Sequence, residues 1–352
     1  MRGIKEPKKI SFPKDETEHN HVIEWWYFNG NLKDSKGKQY SFMNCLFKAD
    51  LKHVGFPIIS NIPLPVKNIY FSHSLLSDIS KMKFHPKIDY VVMPSKDSFM
   101  RSRLFAKYSG CLIEKNGKNE YRIKNDKIDL KMKSIKTPLL EGGGGFFTLP
   151  CHKSSYYYSL TNLDTSGTIK INGRRIKVKG KSWMDHQWAN NKYSKDRYNW
   201  FSIQLDNNTE ILCFEFGKRK MKRMACIMDS SAKQCSLSKV SFKPTGTYWT
   251  SPHTRVRYPL SWRIRIPSKK LDLQIEPIIK EQEMLFGLIN YWEGPINVKG
   301  TVRGKNITGN GFMELVGYPT KLSLSKIVKK EIENVIIQEF DSIKQKAREI
   351  LD

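Results

Sequence analysis

The run Gly180-Lys-Ser-Trp183-Met184-Asp185-His186-Gln-Trp188 brings a carboxylate, an imidazole and two indoles close together in the chain. Carboxyl and imidazole groups are suited to moving a proton near neutral pH, and the face of an indole tolerates a cation. The same residues also suit the packed end of a β-barrel, where an Asp caps backbone N–H groups and a His is satisfied within the core. A metal site is not expected. His19 and His21 share one face of an extended segment, whereas Glu24 falls on the other.

The elements that must hold these groups read as strands. His21 to Leu32 is rich in aromatics and is followed by the polar turn Lys33-Asp-Ser-Lys-Gly37 and by Tyr40 to Phe47, which together predict a β-hairpin. Residues 99–133 alternate apolar and charged side chains, the period of half-buried strands. Gly167 to Gly180 contains Asn172-Gly173, a tight-turn signal between two strands. The unbroken run Gly142 to Gly145 permits backbone dihedrals closed to other residues and lets a second segment or a ligand approach. With no Lys-Ser/Thr after it, this run is not a phosphate loop.

The pattern then restarts. Trp200-Phe201-Ser-Ile-Gln-Leu205 matches Tyr27-Phe28-Asn-Gly-Asn-Leu32, and Gly309-Asn-Gly-Phe312-Met313-Glu314 echoes Gly180-Lys-Ser-Trp183-Met184-Asp185. An internal duplication of one β-unit follows, too long in each copy for a solenoid repeat. The predicted class is all-β, with two barrel-like domains. The divisions are a polar arm over 1–18, a first domain over 19–190, a second over 191–320, and an amphipathic helix over 321–352. In the last segment Val328, Ile332, Val335, Ile336, Phe340 and Ile343 recur at helical spacing.

Composition narrows the class further. The 352 residues are 39% hydrophobic and 12% aromatic, which fits a folded protein. No apolar run approaches the roughly 20 residues that span a bilayer, and no secretory leader is visible, so a cytoplasmic location is expected. The six cysteines lack a Cys-x-x-Cys pair and read as reduced thiols. A net charge of +27 would attract nucleic acid or anionic lipid. The lysines are nonetheless spread along the chain without a nucleic-acid-binding signature. No specific nucleic-acid partner is expected, peripheral contact with an anionic membrane surface is left open, and so is the oligomeric state.

Glu24-Trp-Trp-Tyr-Phe-Asn-Gly-Asn-Leu32, the Tyr157-Tyr158-Ser-Leu-Thr-Asn-Leu strand, Trp183-Met-Asp-His-Gln-Trp188 and Trp292-Glu-Gly-Pro through Gly317-Tyr318 carry a resemblance. They resemble the lipocalin-like family that contains carotenoid 1,2-hydratase (hydroxyneurosporene synthase) and the AttH-like proteins. The resemblance runs from about residue 19 to 318. It implies two lipocalin-like β-barrel domains, an apolar pocket at or between them, and chemistry without a redox cofactor; no other cofactor is expected.

By that resemblance the activity is hydration, elimination or isomerisation of a hydrophobic polyene or terpenoid-like molecule. Such chemistry needs an acid for the alkene, a surface that tolerates the cation, and a guided water. Asp185 and His186 are the candidate acid and base, and Trp183 or Trp188 the cation-facing ring. The family's His-x-Trp pair stands here as His186-Gln-Trp188. Its Tyr-x-Asp element aligns with Cys213-Phe-Glu215, which keeps a carboxylate, Glu215, and loses the phenol. Trp26, Tyr158, Trp200 and His73 complete the candidate ligand contacts, with core packing as the alternative for the tryptophans. A non-catalytic carrier of a hydrophobic ligand is the second reading. Hydrolysis is a third, and no Gly-x-Ser-x-Gly elbow supports it.

Overall fold

The computed structural model describes residues 9–50, 67–91, 94–100, 102–148, 154–190, 196–218, 220–285 and 290–320. The expected C-terminal helix over 321–352 lies outside the described residues. Within them the chain forms two antiparallel sheets, of twelve and ten strands, and one small two-stranded ribbon. Helical structure among the described residues is limited to single 3-10 turns such as Lys14–Glu16 and Ile79–Lys81. None of these helices is long and apolar enough to cross a membrane.

The first sheet is centred on the opening strand Ile23–Asp34, the aromatic segment singled out above. One edge of that strand pairs with Gln39–Asp50, completing the predicted hairpin. The other pairs with Arg174–Ala189, a partner distant in sequence that carries the Asp185-His186 motif. Ser154–Ile171 lies next, joined to Arg174–Ala189 through Asn172 and Gly173 at φ 50° and 77°, as a tight hairpin turn requires. The short strands Ile128–Ser134, Glu120–Lys124, Cys111–Lys115 and Phe105–Tyr108 follow. The sheet curls back on itself, because one apolar core unites Trp26, Phe28 and Met184 with Ile113, Ile123 and Leu130 from the far strands.

The second sheet repeats this plan, with Arg197–Leu205 between Glu210–Gly217 and Lys305–Val316, and Tyr291–Val302 beyond. Its own core runs from Phe201 and Met313 to Trp262, Ile264 and Leu273. The duplication read from the sequence appears as identical register: Tyr27 stands opposite Asp185, and Trp200 stands opposite Glu314. Both copies need glycine at the same point of the closing strand. A Cβ on Gly180 would lie 2.0 Å from the Asn31 carbonyl oxygen, and one on Gly309 would lie 2.5 Å from that of Gln204. The glycine run also behaves as expected for a close approach, since a Cβ on Gly145 would meet Ile10 of the N-terminal arm at 2.4 Å.

A third apolar cluster lies between the two sheets. It explains why Gln39–Asp50 and the end of Arg174–Ala189 are buried on both faces, whereas Ile128–Ser134 alternates. Polar contacts cross the same seam. Lys136 Nζ donates to Glu210 Oε2 at 2.6 Å, Asn162 Nδ2 to Glu210 Oε1 at 2.7 Å, and Gln204 Nε2 to the carbonyls of Thr161 and Ser182 at 2.7 and 3.0 Å. Five described cysteines, Cys45, Cys111, Cys213, Cys226 and Cys235, are free thiols.

Candidate active site at the seam between the sheets

Adjacent residues of a strand face opposite sides, so Asp185 and His186 do not share a pocket. Asp185 looks into the seam between the sheets, and His186 looks into the first barrel. The expected acid–base pair is therefore divided by the sheet itself.

On the seam side, three donors surround Asp185. Tyr157 Oη donates to Oδ2 at 2.5 Å, Trp183 Nε1 donates to Oδ1 at 2.6 Å, and Ser159 Oγ lies 2.6 Å from Oδ1. Tyr157 Oη in turn accepts from Trp200 Nε1 of the second sheet at 2.9 Å. Ser159 Oγ also lies 3.0 Å from Glu141 Oε1. One hydroxyl proton serves two carboxyl oxygens, so for both contacts to be hydrogen bonds one of the acids carries a proton.

Burial raises the acids of this seam. Burial pushes Asp185 up to about 7, against the pull of its three donors. Burial also pushes Glu141 up to about 8, with the nearby Asp185 adding to it. On the second copy Glu293 stands directly opposite Glu314. Burial and Asp185 raise Glu314 to about 8, while burial and Glu314 raise Glu293. Tyr27 Oη donates to Glu293 Oε1 at 2.8 Å, and the other Glu293 oxygen has no hydrogen-bond partner among the described residues. His73, from the candidate list, also faces this seam, with Nδ1 2.6 Å from Tyr291 Oη; burial lowers it to about 3. Half-buried Trp25, Phe47, Phe84 and Tyr198 pack at the margin of the cluster, which gives the seam an aromatic rim.

His186 belongs to a different network. Its Nε2 donates to Glu24 Oε1 at 2.9 Å, and its Nδ1 lies 3.3 Å from Tyr158 Oη. Burial lowers His186 to about 4, which makes it a neutral imidazole at pH 7. Burial alone would raise Glu24, but hydrogen bonds from His186 and His19 outweigh it and hold the carboxyl at about 2. Trp26 stacks on His186 at 4.9 Å between centroids, and Trp188 stacks on His19 at 3.9 Å. The placement of Glu24 corrects the expectation from strand parity. His19 Nδ1 lies 2.8 Å from Glu24 Oε1, because the strand begins only at Ile23 and His19 stands in the arm before it.

The nine candidate residues thus separate. Asp185, Trp183, Trp200 and His73 line the seam; His186, Trp188, Trp26 and Tyr158 point into the first barrel. Glu215 joins neither group. It shares a strand face with Cys213 of the second sheet's own core, accepts from Asn199 Nδ2 at 2.9 Å and pairs with Arg223 at 3.1 Å. Its strand belongs to the second copy, which sets this candidate carboxylate apart from both Asp185 and His186.

A family model described as AttH-like matches residues 4–318, nearly the whole described chain. The chain belongs to the AttH-like family. A Nitrosomonas europaea protein described as AttH is 26% identical; its crystal structure covers 89% of this chain and 98% of its own, with a TM-score of 0.76. The relative named kievitone hydratase, from Fusarium solani subsp. phaseoli, is 23% identical over 203 residues, which is 54% of this chain and 57% of that protein. The relative named dehydratase asqC, from Emericella nidulans, is 22% identical over 212 residues, 54% of this chain and 58% of its own length. The AttH-like chain therefore aligns with little more than half of each curated relative.

Several seam residues of this AttH-like chain escape a reading of motifs. Tyr157 and Ser159 flank the candidate Tyr158 and project from the opposite face, so their alternation was a usable signal. Glu141 has no such signal. It stands beside the glycine run, and only the folded chain brings it to Ser159.

Proposed function

We propose that the chain is a hydratase/dehydratase-type lyase that acts on a hydrophobic molecule, of polyene or terpenoid-like character, held in the aromatic seam between the two β-units. The observation that carries this reading is Asp185: a carboxyl raised to about 7, surrounded by Tyr157, Ser159 and Trp183, in an apolar site. A carboxyl with that pKa both gives and takes a proton at neutral pH. The names of the two curated relatives, a hydratase and a dehydratase, support the same reaction class.

In the dehydration direction, protonated Asp185 gives its proton to the substrate hydroxyl and the C–O bond breaks to release water. The carboxylate left behind takes a proton from the adjacent carbon, whose C–H electrons become the new double bond. Hydration is the reverse. The π faces of Trp183, Trp200 and Tyr27 stabilise positive charge developing on carbon. Asp185 thus ends the cycle with its proton restored, and Ser159 Oγ links it to Glu141. His73, Glu293 and Glu314 complete the polar lining. Every step uses side chains of this chain.

The test is incubation with a panel of linear polyenes and terpenoid tertiary alcohols in H2(18O), read by mass spectrometry for gain or loss of water. Asp185→Asn is expected to lower turnover by about 100-fold or more while leaving ligand binding intact. Binding of panel members without conversion would leave a carrier in place of the enzyme. Unchanged turnover in the Asp185→Asn variant would remove Asp185 from the chemistry.

A further inference from the structure

We propose that His19 Nδ1, His186 Nε2 and Glu24 Oε1 form a binding site for one divalent transition-metal ion, zinc by preference, inside the first barrel. This site lies on the opposite face of the strand from Asp185 and does not depend on the reaction proposed there.

The three ligand atoms lie within 4.8 Å of one another, with Glu24 Oε1 2.8 Å from His19 Nδ1 and 2.9 Å from His186 Nε2. A tetrahedral zinc with bonds of about 2.0–2.1 Å keeps its ligand atoms about 3.3 Å apart. The two Glu24 contacts therefore need to open by about half an ångström, and the two imidazole nitrogens, up to 4.8 Å apart, need to close to the same spacing. Two imidazole nitrogens and one carboxylate oxygen suit zinc and its neighbours, whereas magnesium and calcium take all-oxygen sets. A fourth position is left for water.

The outer contacts match what metal-bound histidines need. A ligating imidazole is oriented by a partner on its other nitrogen. His19 Nε2 lies 3.4 Å from Asp15 Oδ1, and His186 Nδ1 lies 3.3 Å from Tyr158 Oη. The second Glu24 oxygen is fixed by the backbone N–H of His19 at 2.9 Å. Flanking rings of Trp26 and Trp188 lock both imidazoles in place.

The local charge also favours a cation. Among the described residues Lys48 is the one ammonium within 4 Å of Glu24, at 3.7 Å, but it lies closer to Glu18, at 3.1 Å, and donates to the His19 carbonyl. Asp15, Glu18 and Glu24 set three carboxylates against the ammonium of Lys48, an excess of two negative charges. A divalent ion balances that excess. It would also tie the N-terminal arm, which carries His19, to the strands that carry Glu24 and His186.

The test uses the full chain without an affinity tag, freed of metal with a chelator and titrated with ZnCl2 by calorimetry and with CoCl2 by visible absorption. The expected result is one ion per chain and a cobalt spectrum of a four- or five-coordinate site. His19→Ala, placed outside the sheets, is expected to weaken zinc affinity by more than about 100-fold, since an inner ligand counts for more than the 10–100-fold of an outer one. Asp15→Asn keeps all three ligands and is expected to weaken it by about tenfold. His85→Ala is expected to leave it unchanged. Zinc is expected to raise the melting temperature of the wild type and not that of His19→Ala. Absence of saturable binding, or equal affinity in wild type and His19→Ala, would overturn the site.

Discussion

Asp185 and His186 are neighbours in the chain and belong to different compartments. Asp185 bonds Tyr157, Ser159 and Trp183 in the seam between the sheets, and His186 bonds Glu24 inside the first barrel. One strand thus serves two buried polar networks, each closed by its own side-chain partners. Changes to the side chain of one are expected to leave the hydrogen bonds of the other in place, because the two share no side-chain partner.

The seam acids set how stability depends on pH. Asp185, Glu141 and Glu314 are raised from ordinary values of 3.8, 4.5 and 4.5 to about 7, 8 and 8. The folded chain therefore holds protons that the unfolded chain has already released. Their contribution is complete below about pH 4 and is lost as pH rises through 7 to 8. Glu24, lowered to about 2, works in the other sense, since its contribution is present above 4.5 and lost as pH falls toward 2. Above pH 6.5, where the lowered His73 and His186 are neutral in both states, denaturant midpoints are expected to fall as pH rises to about 8.5. Asp185→Asn should shallow the alkaline fall, and an unchanged slope in that variant would contradict the raised carboxyl.

Tyr157→Phe removes the hydroxyl that donates to Asp185 Oδ2 and accepts from Trp200 Nε1. Leaving a buried indole N–H without its acceptor costs about 1–3 kcal/mol in chemical denaturation. With one donor fewer, Asp185 is expected to hold its proton to higher pH, so the alkaline limb of the pH–rate profile moves upward. A loss of stability with no shift in that limb would separate Tyr157 from the acid.

Lys136 reaches across the seam to Glu210, bonding Oε2 at 2.6 Å and the carbonyls of Asn208 and Asp229 at 2.6 and 2.9 Å. Lys136→Met strands a carboxyl that is almost fully buried, and breaking a buried pair from one side costs about 3 kcal/mol or more. Adding Glu210→Gln is expected to restore part of that loss. Equilibrium denaturation of the two variants and their combination, compared as a double-mutant cycle, gives the coupling directly.

Gly180→Ala drives a methyl to 2.0 Å from the Asn31 carbonyl oxygen on the neighbouring strand. Backbone on both sides must move, and the expected cost is about 2–3 kcal/mol in thermal or denaturant unfolding. Gly173→Asn is the control. Nothing lies within 4 Å of a Cβ there, and asparagine accepts its φ of 77°. That variant is expected to stay within about 1 kcal/mol of the wild type.

The sequence by itself determined the β architecture. Alternation, turn glycines and the repeated aromatic-Met-acid motif report short-range geometry, and each is a property of consecutive residues. The duplication and the hairpins follow from them. What only the tertiary structure decided is which groups meet. Asp185 becomes a proton-holding site through burial in the seam, where Trp200 of the second copy bonds its partner Tyr157 and Glu141 from beside the glycine run meets its partner Ser159. His186 needs Glu24 from a strand that pairs across a long stretch of sequence, and His19 from an arm outside the strand alternation. Parity along one strand says that Asp185 and His186 face apart. It cannot say what waits on either side, because burial and hydrogen-bond partners come from segments remote in the chain, and those set the charge each group carries.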